Sequence, residues 1–349
     1  MAIRVAINGF GRIGRAFVRC VHNNPEIEVV AANDLSDVEN LAYLLKYDSA
    51  YGVAPFDVGT RKEGWKTLLT VDGKDIPVFM EKDPTKLPWG DLGVDIVVEA
   101  TGVFRDYGKA KMHLDAGAKR VVISAPAKGD PSAADITGVT SLIGINEDAL
   151  KTCDISSNGS CTTNASAPVI EILHEAIGIE KAMLNTIHAY TSSQSIVDMP
   201  GKSDWRKTRA GAVNIIPSTT GAATAVTEVV TDLKGKFDGI AMRVPVIAGS
   251  VADVTFIAKR NTSVEEVNGI LRMASEDERW SRIFAVSNEP LVSNDILGLP
   301  YASIVDLPMT RVVDGNLVKV CAWYDNEMGY THALVHHVLV TGKHAIEKK

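Results

Sequence analysis

The feature that most constrains the fold lies in the first 34 residues. Residues 3–7 form an apolar run rich in β-branched side chains, and the glycine-rich turn Asn8-Gly9-Phe10-Gly11-Arg12-Ile13-Gly14 follows at once. Apolar residues then recur at helical spacing, at Ile13, Phe17, Cys20 and Val21. A second apolar segment covers residues 28–32. Strand, turn, helix and strand in this order predict a βαβ unit with parallel strands.

The same alternation continues along the first half of the chain. We predict strands near 94–99 and 121–124, with a helix near 109–116 between them. A hairpin around Asp72-Gly73, from 68 to 79, interrupts this scheme. After about residue 160, longer strand patterns at 239–244, 251–258 and 317–323 precede a closing helix near 327–341. We therefore expect an α/β protein with a Rossmann-like N-terminal domain and a second, α+β domain.

The glycine turn has the spacing of a dinucleotide site. Gly9, Gly11 and Gly14 follow a strand and open a helix, and Asp34 stands twenty residues beyond Gly14 at the end of the next strand. Missing side chains let a pyrophosphate approach the backbone, and the helix N-terminus attracts its charge. A carboxylate at Asp34 suits a ribose diol and repels a 2′-phosphate, which predicts NAD rather than NADP. The alternative interpretation is a plain glycine turn followed by a surface aspartate.

A second candidate site begins at Cys161. A polar stretch of small residues, 157–164, leads into an apolar-periodic segment, which places Cys161 in the first turn of a helix, where thiolate is favoured. A helix of about 17 residues travels roughly 26 Å, and a strand ending at His188 returns about as far. Cysteine and histidine would then form an activated thiol pair. On these residues alone, a buried inert cysteine and a core histidine are an equally good interpretation.

Composition excludes several classes of function. The chain of 349 residues has 36 basic and 43 acidic side chains, a net charge of −7, so nucleic-acid binding is not expected. Apolar runs are too short to span a bilayer, and the N-terminus lacks a signal-peptide pattern. Four scattered cysteines without a CxxC pair, and no HExxH motif, predict neither disulfides nor a metal site. We expect a cytoplasmic protein.

Six motifs, in order along essentially the whole chain, resemble those of phosphorylating, NAD-dependent glyceraldehyde-3-phosphate dehydrogenases. They are NGFGRIGR at 8–15, SCTTN at 160–164, HAYT at 188–191, STTGAA at 218–223, MRVP at 242–245 and WYDNEMGY at 323–330. The resemblance implies oxidation of D-glyceraldehyde 3-phosphate to 1,3-bisphosphoglycerate, in glycolysis or gluconeogenesis, through a thioester on Cys161 with His188 as base. Two alternatives are an erythrose-4-phosphate dehydrogenase and a non-catalytic, cofactor-binding interaction protein.

The resemblance also implies roles for individual residues. It assigns the substrate's phosphate to Thr191 and Arg243, and the attacking inorganic phosphate to Ser160, Thr162, Thr220 and Gly221. The cation beside the attacking phosphate comes from the stretch 206–209, with Arg209 as candidate and Arg206 and Lys207 as alternatives. The cofactor cradle would comprise Gly9, Gly11, Arg12, Ile13, Gly14, Asp34, Leu35, Thr101, Ser124 and Asn326, with Met199 and Pro200 beside it.

The segment 192–217 predicts assembly. It is long for a connection inside a domain and carries apolar side chains that need cover, namely Ile196, Val197, Met199, Trp205, Val213, Ile215 and Ile216. The resemblance makes it the S-shaped loop of a homotetramer. It also implies a dinucleotide-binding domain of residues 1–160, completed by about 326–349, and a catalytic and oligomerisation domain of residues 161–325.

Overall fold

A computed structural model describes residues 1–64, 66–201 and 204–347. The chain forms two compact units: the first contains residues 1–159 and those from Leu334 onward, and the second is Ser160–Ala333. The domain limits expected from the sequence, 160 and about 326, stay predictions, and the last two residues of the predicted segment 326–349 lie outside the described residues.

The first unit is built on a largely parallel sheet. Its strands are β1 Ile3–Asn8, β2 Ile27–Asn33, β3 Tyr47–Asp48, β4 Gly52–Val53, β5 Val58–Glu63, β6 Lys66–Val71, β7 Lys74–Phe79, β8 Ile96–Glu99, β9 Arg120–Ile123, β10 Gly138–Thr140 and β11 Ile155–Ser157. Its helices are α1 Arg12–Val21, α2 Val38–Lys46 and α3 Tyr107–Asp115. The sheet order is β10-β11-β9-β8-β1-β2-β7-β6-β5, while β3 and β4 pair separately. Strands from β10 to β7 are parallel, and β6 and β5 are antiparallel additions.

The predicted βαβ unit is present. Strand β1 pairs with β2 and β8 in parallel, and its residues Val5, Ala6 and Ile7 are fully buried, as expected for a central strand covered on both faces. On α1, Phe17 and Val21 are buried as predicted, whereas Ile13 and Cys20 are half-buried. The buried face is therefore centred on residues 16–18, slightly rotated from the predicted one.

The predicted hairpin joins β6 to β7. Asp72 and Gly73 both have positive φ, +47° and +73°, which is the turn chemistry that a tight two-residue connection needs. Strand β7 then pairs with β2 in parallel, which inserts the hairpin into the main sheet. The sequence reasoning missed β5, whose pattern VGTRKE lacks apolar alternation because this edge strand is mostly exposed.

The second unit has a mixed sheet covered by helices. Its strands are β12 Ile179–Ala189, β13 Ile216–Thr219, β14 Phe237–Val244, β15 Ser250–Ala258, β16 Phe284–Ser287, β17 Ser303–Asp306, β18 Arg311–Val313 and β19 Leu317–Tyr324. The helices are α4 Cys161–Ile177, α5 Ala222–Val229, α6 Val264–Glu276 and α7 Met328–Glu347, which continues into the first unit. The sheet order is β13-β14-β12-β15-β19-β17-β16, with β18 beside β19.

Pairing in this sheet is mainly antiparallel, but β12 pairs with β14, and β16 with β17, in parallel. Strand β15 alternates buried and half-buried residues along its whole length, so one face packs on the core. Helix α4 is buried over most of its surface. Short 3-10 turns lie at Pro84–Lys86, Pro131–Ala134, Glu147–Lys151, Trp205–Thr208, Thr231–Leu233 and Leu307–Met309. Among the described residues, no helix has the length and hydropathy to cross a membrane.

Candidate active site

The turn between β1 and α1 is made of glycines because side chains would collide there. Gly9 has a φ of +97°, and a Cβ on it would lie 2.6 Å from the backbone nitrogen of Thr101. A Cβ on Gly14 would lie 2.2 Å from the carbonyl oxygen of Gly9. At Gly11, by contrast, a Cβ would meet nothing within 4 Å. The turn is therefore closely packed against neighbouring backbone at Gly9 and Gly14, whereas the space beside Gly11 is open.

Helix α1 offers an uncapped N-terminus. Gly11 precedes it without a side-chain cap, and the first turn contains no acidic residue. The backbone N–H groups and the helix dipole at such an end attract an anion. The guanidinium of Arg12 is already bonded to Asp48, so Arg12 offers an anion its backbone rather than its side chain. Ile13 is half-buried beside it.

Asp34 directly follows β2 and is held against the glycine turn. Its Oδ2 accepts a hydrogen bond of 2.8 Å from the Phe10 N–H, and its Oδ1 accepts one of 2.9 Å from the Ser36 N–H. Leu35, next to it, is exposed. These elements line a cavity of about 360 Å³, whose residues are Asn8, Gly9, Gly11, Asn33, Asp34, Leu35, Glu81, Lys82, Ala100, Thr101, Val103 and Phe104. An open glycine turn, an uncapped helix and an anchored carboxylate fit a dinucleotide with a free ribose diol.

Two further predicted cofactor residues follow the next parallel strands. Thr101 is exposed beyond β8, and its N–H donates a 2.8 Å hydrogen bond to the Glu99 carboxylate, which its hydroxyl also reaches. Ser124 follows β9 and donates its N–H to the Glu99 carbonyl oxygen at 2.9 Å. Both residues thus lie at the carboxyl edge of the sheet, where α/β proteins bind ligands.

A buried polar cluster below this edge escaped the sequence reasoning. The Glu99 carboxylate accepts hydrogen bonds from Asn8 Nδ2 at 2.5 Å and from His113 Nε2 at 3.1 Å. The indole N–H of Trp89 donates to His113 Nδ1 at 3.1 Å, which leaves the ring proton of a neutral His113 on Nε2, facing Glu99. Asn33 Nδ2 donates to Asn8 Oδ1 at 2.7 Å. One feature of the sequence could have indicated this cluster: the apolar strand β8, with the sequence IVVE, ends in the carboxylate of Glu99.

In the second unit, Cys161 and His188 meet. Helix α4 begins at Cys161 because Ser160 caps it: the Thr163 N–H donates to Ser160 Oγ at 3.1 Å, and the Ser160 N–H donates to Thr163 Oγ1 at 3.3 Å. Strand β12 returns the chain to the start of α4. The distance from Cys161 Sγ to His188 Nε2 is 3.4 Å. His188 is buried, and Cys161 is half-buried.

Burial shifts the pKa values of both members of this pair. Burial raises the pKa of the Cys161 thiol, although the nearby Arg243 guanidinium and hydrogen bonding at Thr162 act in the opposite direction. Burial, followed by the charge of Arg243, lowers the pKa of His188 to about 3 against a raising effect of its bond to the Ala189 backbone. Loss of solvent therefore acts against the thiolate that the helix N-terminus favours, and the thiolate stays a prediction.

Tyr324 is a neighbour of this pair that the sequence reasoning did not single out. Its buried hydroxyl lies 2.9 Å from Thr162 Oγ1 and 2.7 Å from Thr186 Oγ1, and burial raises its pKa. The ring meets His188 edge-on, with centroids 5.8 Å apart. The Thr162 hydroxyl is thus occupied inside the fold and does not lie open for an anion. Only the motif WYDNEMGY pointed to this tyrosine.

Residues predicted for the substrate's phosphate follow or adjoin β12. Thr191 lies two residues after the strand, half-buried, with its hydroxyl 2.9 Å from Ser193 Oγ and its N–H bonded to Gln194 Oε1 at 2.8 Å. Arg243 stands opposite His188 in the parallel register of β12 and β14. Its Nη1 lies 2.6 Å from His188 Nδ1.

Residues predicted for the attacking phosphate are placed differently from one another. Thr220 and Gly221 open helix α5, where Thr220 Oγ1 accepts the Ala222 N–H at 3.1 Å and Gly221 is exposed with open space at its Cβ position. Arg209 is exposed, and its Nε donates to Asp198 Oδ2 at 2.8 Å. Among the alternative cations, Lys207 lies 3.8 Å from Asp204, and Arg206 is exposed.

Asn326 is buried at the end of the segment after β19. Its Oδ1 accepts hydrogen bonds of 3.1 Å from the Gly249 N–H and from the Ser250 hydroxyl. These two bonds hold the side-chain amide of Asn326 in one orientation. Its NH₂ group therefore points in a fixed direction.

Comparison with known families decides the identity of this fold. The family model described as "Glyceraldehyde 3-phosphate dehydrogenase, NAD binding domain" matches residues 3–107, and "Glyceraldehyde 3-phosphate dehydrogenase, C-terminal domain" matches residues 160–326. The chain belongs to the glyceraldehyde 3-phosphate dehydrogenase family. The predicted resemblance, the α/β fold with a Rossmann-type domain, and NAD as cofactor of an oxidoreductase are thereby confirmed.

Curated relatives carry the same name over nearly the whole chain. Glyceraldehyde-3-phosphate dehydrogenase of Thermotoga maritima is 52% identical over 335 residues, which is 95% of this chain and 97% of that relative. The Geobacillus stearothermophilus enzyme is 49% identical over 337 residues, 96% and 97% of the two chains. The Mycobacterium avium enzyme is 47% identical over 349 residues, 98% and 99%. Membership of this dehydrogenase family implies glyceraldehyde 3-phosphate and phosphate as substrates. The described residues contain no group of three or more His, Cys, Asp or Glu that could hold a metal ion.

Proposed function

We propose that this chain oxidises D-glyceraldehyde 3-phosphate, with NAD and inorganic phosphate, to 1,3-bisphosphoglycerate through a covalent intermediate on Cys161. The observation that carries the proposal is the 3.4 Å contact between Cys161 Sγ, at the first residue of a capped helix, and His188 Nε2. A thiol beside an imidazole is the pair that covalent chemistry on an aldehyde requires.

The first half of the reaction uses the two side chains in turn. Cys161 Sγ attacks the aldehyde carbon while His188 takes the thiol proton and passes it to the carbonyl oxygen, which gives a hemithioacetal. The backbone N–H of Cys161, at the helix start, stabilises the developing oxyanion. When bound, NAD supplies the acceptor for the hydride that leaves this carbon. His188 Nε2 takes back the hydroxyl proton as the carbon is oxidised, and a thioester remains on Cys161.

The second half transfers the acyl group to phosphate. A phosphate oxygen attacks the thioester carbon, the carbon–sulfur bond breaks, and the acyl phosphate leaves with Cys161 again a thiolate. The thioester retains the free energy of oxidation that hydrolysis would release as heat. One proton per turnover is released in the overall reaction.

Two groups of residues would hold the phosphates. Thr191 and Arg243 adjoin His188 along the sequence and across the sheet, which supports their assignment to the substrate's phosphate. The uncapped start of α5 at Thr220 and Gly221 supports an anion there, together with Ser160 before α4. Arg209 would have to leave Asp198 to reach the attacking phosphate, and Thr162 would contribute through its backbone.

Most of the residues proposed to hold the dinucleotide belong to the first unit. Gly9, Gly11, Gly14 and the N–H groups of Arg12 and Ile13 would surround the pyrophosphate. The ribose would bond to Asp34, with Leu35 beside it, and Thr101 and Ser124 would line the remaining edge. Asn326 would bond the carboxamide of the nicotinamide.

Substitution of Cys161 tests the covalent route. Cys161→Ser should keep NAD affinity but lose NAD reduction by about 10³-fold or more, because a neutral hydroxyl is a far weaker nucleophile than a thiolate. Steady-state NAD reduction with glyceraldehyde 3-phosphate, with and without phosphate, is the assay. Cys321→Ser, another half-buried cysteine of the second unit, is the matched control and should stay active. Turnover of Cys161→Ser within a few-fold of wild type would remove Cys161 from the mechanism.

We further infer a homotetramer from the segment 192–217. Its apolar side chains Ile196 and Trp205 are 87% and 80% exposed, and four more are also exposed, namely Val197, Met199, Val213 and Ile215. Ile216, by contrast, is buried within its own chain, so the prediction that it needs cover from another subunit is wrong. Such a surface is too apolar to remain in water, so closed symmetry with a second copy would cover it. Light scattering along a dilution series, with NAD titration at each step, measures this. A fully active monomer with undiminished NAD affinity would contradict it.

The proposal also covers the division of the chain into domains and the location of the protein. Residues 1–160 with 326–349 would form the cofactor domain, and 161–325 the catalytic and oligomerisation domain. A reducing, cytoplasmic location suits the mechanism, because Cys161 must remain a thiol.

A further inference from the structure

The carboxyl ends of four adjacent parallel strands in the first unit are joined by one set of buried polar groups. In the sheet order β8-β1-β2-β7, Glu99 closes β8, Asn8 closes β1 and Asn33 closes β2, while Glu81 follows β7 by two residues. Glu99, Asn8 and Asn33 are buried, and we call these three residues the edge network. Asn8, Asn33 and Glu81 also line the cavity proposed to hold the dinucleotide. The edge network therefore runs along one side of that cavity.

The hydrogen bonds of the edge network all point toward Glu99. Asn33 Nδ2 donates to Asn8 Oδ1 at 2.7 Å, and Asn8 Nδ2 donates to Glu99 Oε2 at 2.5 Å. His113 Nε2 lies 3.1 Å from the same Oε2. The other carboxylate oxygen, Oε1, accepts the Thr101 N–H at 2.8 Å and also the Thr101 hydroxyl. Four donors on two oxygens require a group that only accepts, so Glu99 acts as a carboxylate.

The neighbours of the edge network prevent it from reversing its hydrogen bonds. Asn33 Nδ2 also donates to the Glu81 carbonyl oxygen at 3.0 Å, and Asn33 Oδ1 accepts the Glu81 N–H at 2.9 Å. The Asn33 amide is therefore fixed, and Asn8 must keep its Oδ1 toward it. On the other side, the Trp89 indole donates to His113 Nδ1, so the proton of a neutral His113 ring faces the carboxylate.

The negative charge of Glu99 does not help to attract the cofactor. Thr101, whose N–H the carboxylate holds, lies against the glycine turn, since a Cβ on Gly9 would lie 2.6 Å from the Thr101 nitrogen. A buried negative charge behind a pyrophosphate site opposes binding of that anion. Within the described residues, the hydrogen-bond partners of Glu99 are an asparagine, a threonine and a histidine in its neutral form. What the carboxylate supplies is therefore its capacity to accept hydrogen bonds.

We propose that Glu99 is a positioning residue for NAD, whose carboxylate fixes the Thr101 backbone and the Asn8 amide at the edge of the dinucleotide cavity. Among the described residues, Glu99 is not one of those that line this cavity, so it acts through the two residues that it holds. A cavity whose lining is held by buried hydrogen bonds needs little rearrangement when its ligand enters. The inference rests on the proposed placement of the dinucleotide against the glycine turn.

Glu99→Gln removes part of the acceptor capacity and keeps the shape of the side chain. The NH₂ group of the glutamine has to face either Thr101 or Asn8, and both present N–H groups there. Reversal of the Asn8 amide would only move the conflict to Asn33, which the Glu81 backbone holds in place. One buried donor therefore always lacks an acceptor, and the edge of the cavity shifts to relieve the conflict.

Calorimetric titration with NAD measures the consequence of this substitution. We expect Glu99→Gln to raise the Kd of NAD about tenfold, whereas removal of a negative charge beside the pyrophosphate would by itself lower the Kd. The kcat at saturating NAD should stay within about twofold of wild type, because Cys161 and His188 belong to the second unit. ADP-ribose, which lacks the nicotinamide, should lose affinity by the same factor, since the edge network adjoins the cavity that Asp34 and the glycine turn also line.

Asp95→Asn is the matched control. Asp95 directly precedes β8, so it lies at the amino end of the strand that Glu99 closes. It is also a buried carboxylate, which accepts the Arg4 N–H at 2.9 Å and the Lys119 ammonium at 2.5 Å. Its loss should lower the urea midpoint of unfolding but leave the Kd of NAD unchanged. General destabilisation of the sheet is thereby separated from misplacement of the cavity edge.

Two variants of His113 give a second measurement, which decides if Glu99→Gln does not fold. His113→Gln can still donate to the Glu99 carboxylate, whereas His113→Leu cannot. Both variants lose the edge-on contact of the ring with Phe104, whose centroid lies 6.1 Å away, so their difference reports hydrogen bonding rather than ring packing. NAD should bind His113→Leu about threefold more weakly than His113→Gln. Equal Kd values in these two variants would overturn the proposal.

The outcomes separate this inference from the placement of the cofactor on which it rests. An unchanged or lower Kd of NAD in Glu99→Gln overturns the role of Glu99, and so does an equal rise in Asp95→Asn or a fall in kcat with the Kd intact. A wrong placement of the dinucleotide is seen elsewhere, because Asp34→Gly would then leave the Kd of NAD unchanged. A rise of about tenfold in Glu99→Gln, for NAD and ADP-ribose alike and absent from Asp95→Asn, supports Glu99 as the residue that positions this edge of the site.

Discussion

Replacement of His337 by glutamine should change the acid stability of the protein. His337 is fully buried in the first unit, with Nε2 at 2.7 Å from Ser156 Oγ and Nδ1 at 3.2 Å from Asn158 Oδ1. Burial lowers its pKa to about 3, while a hydrogen bond to the Ser141 backbone acts in the opposite direction. Glutamine keeps a polar amide at this position but cannot titrate.

The size of the effect follows from the difference between folded and unfolded pKa values. The unfolded ring binds a proton below its ordinary value of 6.5, whereas the folded ring stays neutral until about pH 3. Between these values the unfolded state holds more protons, so stability falls as the pH falls. At pH 5, about 1.5 units below 6.5, the loss from this residue is about 2 kcal/mol. At pH 7.5 it is close to zero.

Urea unfolding at pH 7.5 and pH 5.0 measures the prediction. His337→Gln should be less stable than wild type at pH 7.5, because the packing around the imidazole is disturbed. The difference in the free energy of unfolding between wild type and variant should shrink by about 2 kcal/mol at pH 5.0, because only wild type is destabilised by protonation of His337 in the unfolded state. Protein concentration must be equal in all samples, because assembly contributes to apparent stability. His337→Asn should show the same change, and a gap independent of pH in both variants would refute the reasoning.

Two further substitutions test the cofactor preference and the support of the active site. Asp34→Gly should raise kcat/KM with NADP relative to NAD by about tenfold, because the carboxylate that repels a 2′-phosphate is gone; equal use of both cofactors by wild type would contradict the assignment. Tyr324→Phe should lower the free energy of unfolding by about 1–2 kcal/mol, because the Thr162 and Thr186 hydroxyls lose a buried partner; an unchanged thermal midpoint would show that these bonds do not matter.

Local patterns predicted the parts of the fold that depend on local physics. The glycine turn, α1 and the Asp72-Gly73 hairpin follow from periodicity and turn chemistry within about twenty residues. The meeting of Cys161 with His188 was also predictable, because a helix and a returning strand of matched length must end near each other. No knowledge of the rest of the sheet was needed for that step.

Side chains brought together by sheet register were not predictable. The contact between Arg243 and His188 depends on the pairing of β12 with β14, and that pairing joins residues 55 positions apart. The cluster of Glu99 and His113 likewise requires β8 to lie beside β1, with α3 packed behind them. Tyr324 reaches Thr162 from 162 positions away. In each case the chain must first be assembled before the neighbour is known.

The parallel pairing of β12 with β14 explains why the second site is built as it is. In this register His188 and Arg243 lie side by side near the carboxyl ends of both strands. An antiparallel pair could be joined by a short turn, whereas a parallel pair requires a long crossover. Here the crossover is the chain between β12 and β14, and it carries Thr191, Thr220 and Gly221. One topological choice therefore brings the cation to the histidine and supplies the loops proposed to bind the phosphates.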